Sequence, residues 1–352
     1  MSIKIIGTGS VIPKIKESNS SFINYSFYDT SGDKIKLNNK EIIQKFNSIT
    51  GIKNRRYVSS NQKSSDIAIQ ASKIAIKDSG ISKEEIDYII LAHNIGDITF
   101  NSNQVDILPS IASRVKSGLE INNPSCVAYD LIFGCPGWLE GVIQASAFIK
   151  SKIAKTCLVI GSETLSRVLD KSDRDSMIYA DGAGASIIQT SNEKGGILSH
   201  KTASYTSNSE NNYIYYGNSN NRNFENTKYI KMQGRKVYEF ALKNVPIAMK
   251  ECLDFSKIPI EKIKKIFIHQ ANQKMDEAII NRFFKLYNKK TPDNILPMNI
   301  EDFGNSSVAT IPTLFDLTIK KNYNNHYLKN GDHILFASVG AGMNINALTY
   351  QI

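Results

Sequence analysis

Three short stretches of this chain carry the residue types of acyl-transfer chemistry. The first is DLIFGCPGWLEG, residues 130–141, where Cys135 stands among Gly134, Pro136 and Gly137. An apolar run precedes it and a helix-like segment follows at 139–150, so the pattern reads strand, tight turn, helix. Such a turn holds a side chain at a helix N-terminus, where the macrodipole and free N–H groups favour a thiolate. The same groups can stabilise an oxyanion. Read alone, the stretch is open between a nucleophile and a buried structural cysteine. The second stretch is IFIHQAN, 266–272, with His269; the third is DFGNSSVAT, 302–310, with Asn305. Singly, His269 is open between a catalytic group and a satisfied histidine at a strand end, and Asn305, next to Gly304, between a catalytic amide and a turn former. A Cys, a His and an Asn in three turn-like contexts are the parts of an acyl-transfer site.

The elements that must position these groups follow from periodicity and turn signals. Strands are expected at 3–7, 88–92, 125–129, 156–161, 196–200, 265–269, 333–337 and 345–350, with a Gly/Ala turn leading into a strand at 181–190. Helices are expected at 41–49, 64–79, 110–116, from Trp138 onward, and at 237–253, 274–287 and 308–320. Ser82 and Glu85 have capping-box spacing. Residues 93–108 read as a polar loop, and the Asn-, Ser- and Tyr-rich stretch 204–226 as an excursion. The pattern then repeats itself. IDYIILAHN in the first half is answered by IKKIFIHQAN in the second, and TCLVIGSE by HILFASVGAG. Strands alternating with helices imply right-handed βαβ units and buried mixed sheets. Two halves, 1–195 and 196–352, would set their sheets back to back with helices between and outside.

Composition bounds the rest. The chain has 352 residues with 41% hydrophobic content, enough for a large core. No apolar run is long enough to cross a membrane, and the first residues lack a signal-peptide layout. The four cysteines, Cys126, Cys135, Cys157 and Cys252, show no CxxC pair and no metal-ligand spacing. Reduced thiols and a cytoplasmic location are therefore expected, with no metal. A net charge of +10 suits an acidic partner, although a merely lysine-rich composition would give the same number. The lysines are scattered, as Lys73, Lys77, Lys116, Lys150 and Lys155 illustrate, and no nucleic-acid recognition motif accompanies them.

With these motifs assembled, the chain resembles the β-ketoacyl-acyl-carrier-protein synthase III group of the thiolase-like condensing enzymes. The similarity runs along nearly the whole length. It rests on ITGIKNRRY (49–57), DLIFGCPGW (130–138), SDRDSMIYADGAGASII (172–188), IHQAN (268–272), GNSSVAT (304–310) and SVGAGMN (338–344). The resemblance implies an α/β thiolase-like fold of two similar halves, each with a five-stranded mixed sheet, in an α-β-α-β-α arrangement. It implies that Cys135 takes an acyl group from a thioester. His269 and Asn305 would donate hydrogen bonds to the carbonyl of a malonyl-type thioester, which loses CO₂ and attacks the acyl-Cys135. The backbone N–H groups of Cys135 and Ala341 would form the oxyanion hole, with Gly340 and Gly342 shaping that turn. No bound cofactor is implied. The substrates would be acyl and malonyl thioesters of acyl carrier protein or coenzyme A, and the enzyme a homodimer. Asp181–Gly184 would serve tight packing at the dimer or the sheet core.

Three features depart from the chain-initiating members of the group. Residues 93–107 look like an insertion just before Leu108, the position where those members carry a bulky aromatic gate. KFNSI, before Thr50 and Gly51, lacks the tryptophan and arginine that would hold a coenzyme A adenine, which favours a carrier-bound acyl donor. FGCPGW replaces the usual small residues around the cysteine, and Trp138 either shapes the acyl pocket or fills the core. These departures resemble members that join or transfer medium-chain acyl units in secondary metabolism. Lys274, Arg282 and Lys285, on one helix after HQAN, would dock the acidic carrier or form a solvated helix face. Two other functions stay open here: acyl transfer to an alcohol or amine with His269 as base, and a non-catalytic thiolase-like subunit.

Overall fold

A computed structural model describes residues 2–102, 104–224 and 227–352. Residue 103 of the 93–108 loop and residues 225–226 of the 204–226 excursion lie outside the described residues. In chain order the strands are β1 (Ser2–Val11), β2 (Ile15–Ser18), β3 (Asn54–Tyr57), β4 (Tyr88–Ala92), β5 (Val127–Leu131), β6 (Thr156–Thr164), β7 (Asp181–Ser191), β8 (Gly196–Ser204), β9 (Ile214–Asn218), β10 (Lys228–Met232), β11 (Ile263–Ile268), β12 (His333–Gly340) and β13 (Asn344–Gln351). The α-helices are α1 (Asn39–Thr50), α2 (Ser64–Ser79), α3 (Ile111–Gly118), α4 (Gly137–Lys150), α5 (Gly234–Ser256), α6 (Gln273–Lys285), α7 (Ile300–Phe303) and α8 (Thr310–Lys321).

Two mixed sheets organise the molecule. One has the order β1-β7-β6-β4-β5, with β4 parallel to both β5 and β6 and β7 antiparallel to β1 and β6. The other has the order β11-β12-β13-β8, with β11 and β12 parallel. The first has the five strands expected; the second has four among the described residues. Where a fifth strand would flank β11, the chain at Ile295 supplies one backbone bond to Ile266, 2.9 Å long. Layering follows from which faces are apolar. Helices α2 and α3 cover the outer face of the first sheet, and α5 and α6 that of the second. Between the sheets lie α4 and α8, both buried on most of their circumference, with buried polar residues such as Thr313 and Asp316 among the apolar ones. Phe267, Phe315 and Phe336 meet there at centroid distances of 5.1–5.4 Å. The layers are therefore α-β-α-β-α.

Local signals explain where elements begin. Helix α2 spans the residues its periodicity marks, and Asp66 in its first turn accepts from the Lys63 N–H at 2.8 Å. Asn38 and Glu41 cap α1 reciprocally, and Ser82 and Glu85 do the same for the turn before β4. Two expectations are corrected. The strand before the cysteine starts at Val127 rather than Ser125, because Asn123 accepts from the Ser125 N–H and holds a turn there. The Gly/Ala run at 181–184 is not a turn but the start of β7, whose missing side chains let α8 press against it. Within the 204–226 excursion, β9 pairs with β10 as an antiparallel hairpin. Lys231 anchors that hairpin beneath the surface on Asp170 and Asp173, the latter at 3.0 Å.

Trp138 is 1% exposed and lies edge-on to Phe336 in this middle layer. Replacing it with alanine is expected to cost about 3–5 kcal/mol of stability, as for other large aromatic truncations in a core. Urea unfolding of Trp138→Ala checks this; an unchanged midpoint would place the indole outside the load of the core.

Candidate active site

The cysteine turn is built by contact between two loops. Gly134, at φ +71°, turns the chain after β5, and Pro136 precedes the first residue of α4. On the facing side the chain leaves β12 through Gly340, Ala341 and Gly342. A Cβ on Gly340 would lie 2.4 Å from the Cys135 nitrogen, and one on Gly134 would lie 2.6 Å from the Ala341 nitrogen. Only glycines allow the two turns to touch so closely. Asn344 ties them together, donating from Nδ2 to the carbonyls of Phe133 and Ala341 at 3.2 and 2.9 Å. The amides of Cys135 and Ala341 are thereby brought to the wall of one cavity.

His269 follows the end of β11, with its N–H on the Ala337 carbonyl at 2.9 Å. Each polar residue of HQAN has its own task. Gln270 is buried, donating to the Pro297 carbonyl and accepting from the N–H groups of Asn299 and Ile300. Asn272 caps α6 through the Met275 N–H. His269 is left facing the cavity, and burial lowers its pKa to about 4, so the ring is neutral at ordinary pH.

Asn305 is held on both backbone sides, its N–H on the Ile178 carbonyl at 3.0 Å and its carbonyl accepting from Ala180 at 2.8 Å. Its side-chain Oδ1 accepts from the Ser307 N–H at 2.7 Å. That bond fixes the amide: Nδ2 is the end left to donate into the cavity. Ser307 adopts φ +52°, an unusual conformation for a residue with a Cβ, and so turns its hydroxyl toward Cys135. The Ser307 Oγ donates to the Cys135 Sγ at 3.2 Å. Burial pushes the Cys135 thiol up to about 11, and the Ser307 bond works against that rise.

The cavity has a volume of about 330 Å³. Cys135, His269, Asn305 and Ala341 all line it, together with an apolar wall from the β9–β10 hairpin: Tyr215, Tyr216, Ile230 and Met232. Leu108 is 88% exposed and stands clear of the cavity within a single chain. Trp138, expected as a pocket or a core residue, belongs to the core and does not line the cavity. Lys274, Arg282 and Lys285 lie on the exposed side of α6, whose first turn reaches the cavity through Met275; Arg282 also donates to the Leu242 carbonyl at 3.0 Å. Asp181 accepts from the N–H groups of Val58 and Ser166 beneath the sheet, a packing function. Sequence reasoning did not single out Ser307, Asn94, Glu163 or the hairpin tyrosines as site residues. Ser307 stands in GNSSVAT, two residues after Asn305, and an Asx-type turn there was the available signal. Among the described residues no cluster of side chains could hold a metal ion.

Glu163, on β6, is fully buried, and burial raises its carboxyl to about 7 while the neighbouring His93 pulls it back down. A carboxyl with a raised folded pKa binds more protons folded than unfolded between pH 4.5 and about 7. Its contribution to stability thus falls as pH rises through that window and is flat above it. Glu163→Gln is expected to remove this slope, which thermal unfolding of both proteins from pH 4.5 to 8 measures.

The chain matches the family model for 3-oxoacyl-[acyl-carrier-protein] synthase III over residues 129–206, and the model for the C-terminal part of that synthase over 253–352. The first segment contains Cys135; the second contains His269, Asn305 and Ala341. The chain is 30% identical to a beta-ketoacyl-[acyl-carrier-protein] synthase III of Prochlorococcus marinus, the alignment covering 99% of this chain and 96% of that protein. It is 31% identical to the protein of the same name from Neisseria gonorrhoeae, over 99% and 98% of the two chains. Among solved structures it superposes on 3-oxoacyl-[acyl-carrier-protein] synthase III from Aquifex aeolicus with a TM-score of 0.82, at 29% identity and over all of both chains. The priming β-ketosynthase of the R1128 polyketide pathway shares the fold, with a TM-score of 0.79 at 21% identity, covering 100% of this chain and 96% of that one.

Proposed function

The chain belongs to the 3-oxoacyl-[acyl-carrier-protein] synthase III family, and from that premise we propose that Cys135, His269 and Asn305 divide its reaction between them. It is an acyltransferase that forms a carbon–carbon bond by decarboxylating Claisen condensation, without a bound cofactor. Cys135 attacks the acyl thioester, and the departing thiol carries off the proton that the cysteine gave up. A malonyl thioester then enters, and its carbonyl oxygen accepts hydrogen bonds from His269 and the Nδ2 of Asn305. Loss of CO₂ leaves an enolate whose charge these two donors hold. The enolate carbon attacks the acyl carbonyl, the N–H groups of Cys135 and Ala341 hold the tetrahedral oxyanion, and collapse expels the Cys135 thiolate. The observation that carries this assignment is the Asn305 amide, locked by Ser307 with its donor end toward the cavity beside a neutral imidazole. Neither group is acidic enough to quench the enolate. The same neutrality disfavours simple acyl transfer to an alcohol or amine, because an imidazole of such low proton affinity is a poor general base.

We further propose a carrier-bound acyl donor of medium length, as in members that serve secondary metabolism. Ile49 is exposed where an adenine-binding arginine would be needed, and the apolar hairpin wall suits an alkyl chain. Acyl carrier protein would dock against Lys274 and Lys285, spaced three turns apart on the exposed face of α6. The halves 1–195 and 196–352 are taken as the two domains, each carrying one sheet, the first supplying the nucleophile and the second the two donors. We also propose a homodimer formed at the β5 edge. Val127, Ile132 and Leu108 are exposed there at 45, 66 and 88%, an apolar edge that sheets seldom leave uncovered. A cytoplasmic location is supported by four unpaired cysteines. Among the described residues no helix is long and apolar enough to cross a membrane.

Intact-protein mass spectrometry with carrier-bound and coenzyme A thioesters of graded length tests the assignment. Wild type and Asn305→Asp should gain the acyl mass, and Cys135→Ala should not. Asn305→Asp should lose CO₂ release from malonyl thioester by about a hundredfold, as when an oxyanion donor is removed. Lys274→Glu with Lys285→Glu should slow labelling by carrier-bound donors only. Labelling of Cys135→Ala, or equal labelling from every donor, would overturn the reading. Sedimentation of Leu108→Glu should show the dimer dissociating at concentrations where wild type stays paired; a monomeric wild type would refute the dimer.

A further inference from the structure

A buried acid that the reaction does not use stands three hydrogen bonds behind the nucleophile. Glu163 Oε2 accepts from the Asn94 backbone N–H at 3.0 Å and from the Asn94 Nδ2 at 2.5 Å. The same Nδ2 reaches the Ser307 Oγ at 2.8 Å, and Ser307 reaches the Cys135 Sγ at 3.2 Å. With any carboxyl proton of Glu163 on Oε1, the directions of these bonds are determined. Oε2 receives a backbone N–H, which can only donate, so the amide group beside it is the NH₂ end of Asn94. One of its hydrogens goes to Glu163 and the other to Ser307. Ser307 has a single hydrogen, and with its oxygen accepting from Asn94 that hydrogen points at the sulfur.

We propose that Glu163 and Asn94 are positioning residues that set the polarity of the Ser307 hydroxyl, so that it donates to Cys135 and favours the thiolate for acyl loading. The inference rests on Cys135 being the acyl acceptor, and it adds a means of ionising that group. A thiol this deeply placed is held protonated by desolvation, and a donor on the sulfur is the direct remedy. The acid acts through its acceptor oxygen. An ionised Glu163 would repel a thiolate, and burial, by raising its carboxyl to about 7, leaves it only partly ionised at neutral pH. Other titratable groups face these residues: His269, neutral; Tyr179 and Tyr216, both pushed up chiefly by burial; Tyr215 on the cavity wall; and His93 and Asp181 beside Glu163. The array crosses the molecule: Asn94 follows β4, Glu163 lies in β6, Cys135 follows β5 and Ser307 precedes α8. It is therefore assembled only in the folded chain.

Four variants separate this arrangement from a packing function. Ser307→Ala removes the donor. Asn94→Asp keeps the shape but replaces the NH₂ by an acceptor, so that Ser307 turns its hydrogen away from the sulfur. Glu163→Leu removes the acceptor behind Asn94, and Glu163→Gln restores one. Iodoacetamide alkylation of Cys135 is followed by mass across pH, with Cys135→Ala as the blank. In Ser307→Ala and Asn94→Asp its midpoint should move up by about one to two pH units, the effect of losing one hydrogen bond to a charged acceptor. Acyl loading at pH 7 should fall about tenfold to a hundredfold. Release of CO₂ from malonyl thioester, which depends on His269 and Asn305, should change by less than about threefold. Glu163→Leu should behave like Asn94→Asp, and Glu163→Gln should recover most of the lost loading rate. An alkylation midpoint in Ser307→Ala and Asn94→Asp equal to wild type overturns the proposal. So does a parallel loss of loading and CO₂ release, which would mark general damage to the site. If Asn94→Asp does not fold, Ser307→Ala, which removes one oxygen at the cavity wall, decides alone. Should wild type take no acyl group, the functional assignment fails, while the alkylation profile still tests the polarity of Ser307.

Discussion

The site depends on burial, and burial opposes the ionisation of the thiol proposed to start the reaction. A buried, largely apolar cavity strengthens hydrogen bonds to a developing enolate. It also holds a thiol in its protonated form, as the upward shift of Cys135 to about 11 shows. The same burial drives His269 the opposite way, to about 4, where it is useful because only a neutral ring can donate without acting as an acid. One physical condition thus prepares half of the site and handicaps the other half. The turn that presents the sulfur compensates with groups that cost no charge: backbone amides at the start of α4 and a hydroxyl from Ser307. Among the described residues no lysine or arginine shares the cavity wall with the sulfur, and one there would itself be disfavoured by burial.

The close contact of the two turns follows from the layering. Because α4 and α8 are clamped between the sheets, the N-terminus of each is fixed at the same level, and the turns entering them converge. Cys135 enters α4 and Ser307 precedes α8, so the two meet through the middle layer. His269 and Ala341 come from the ends of the paired strands β11 and β12, adjacent in the second sheet. The site is therefore the place where two strand ends face two helix beginnings. Glycines at 134 and 340 remove side chains that would hold these pieces apart.

Much of this was legible in the chain. Cys135, His269 and Asn305 each announce themselves because a polar residue follows an apolar strand at a turn, and local pattern suffices to see that. The repeat of IDYIILAHN and IKKIFIHQAN also suggested a chain of two similar halves. What pattern could not show is partnership across hundreds of residues. Asn94 and Glu163 sit in strand-end contexts that look like ordinary turn and sheet residues, and their meaning depends on β4 and β6 being neighbours. The hairpin at 214–232 was hidden by its composition: Asn, Ser and Gly surround it, and its two short strands are held partly by Lys231 on Asp170 and Asp173, a long-range contact that local pattern does not show. Trp138 was ambiguous for a different reason. Its position in the first turn of α4 fits both a pocket wall and a core, and only the facing Phe336 decides between them.

The β9–β10 hairpin has a consequence for how such an enzyme diversifies. It supplies Tyr215, Tyr216, Ile230 and Met232 to the cavity but pairs with neither large sheet, and the ion-paired Lys231 anchors it together with the apolar packing of Ile230 and Met232. The residues of that wall and the residues proposed to perform the reaction thus lie on different elements. On the proposed reading, substitutions at the hairpin change which acyl chain fits while leaving the elements that carry the sulfur, the imidazole and the amide in place. Selection can accordingly retune the preferred acyl chain one hairpin residue at a time, while the reaction itself is inherited intact.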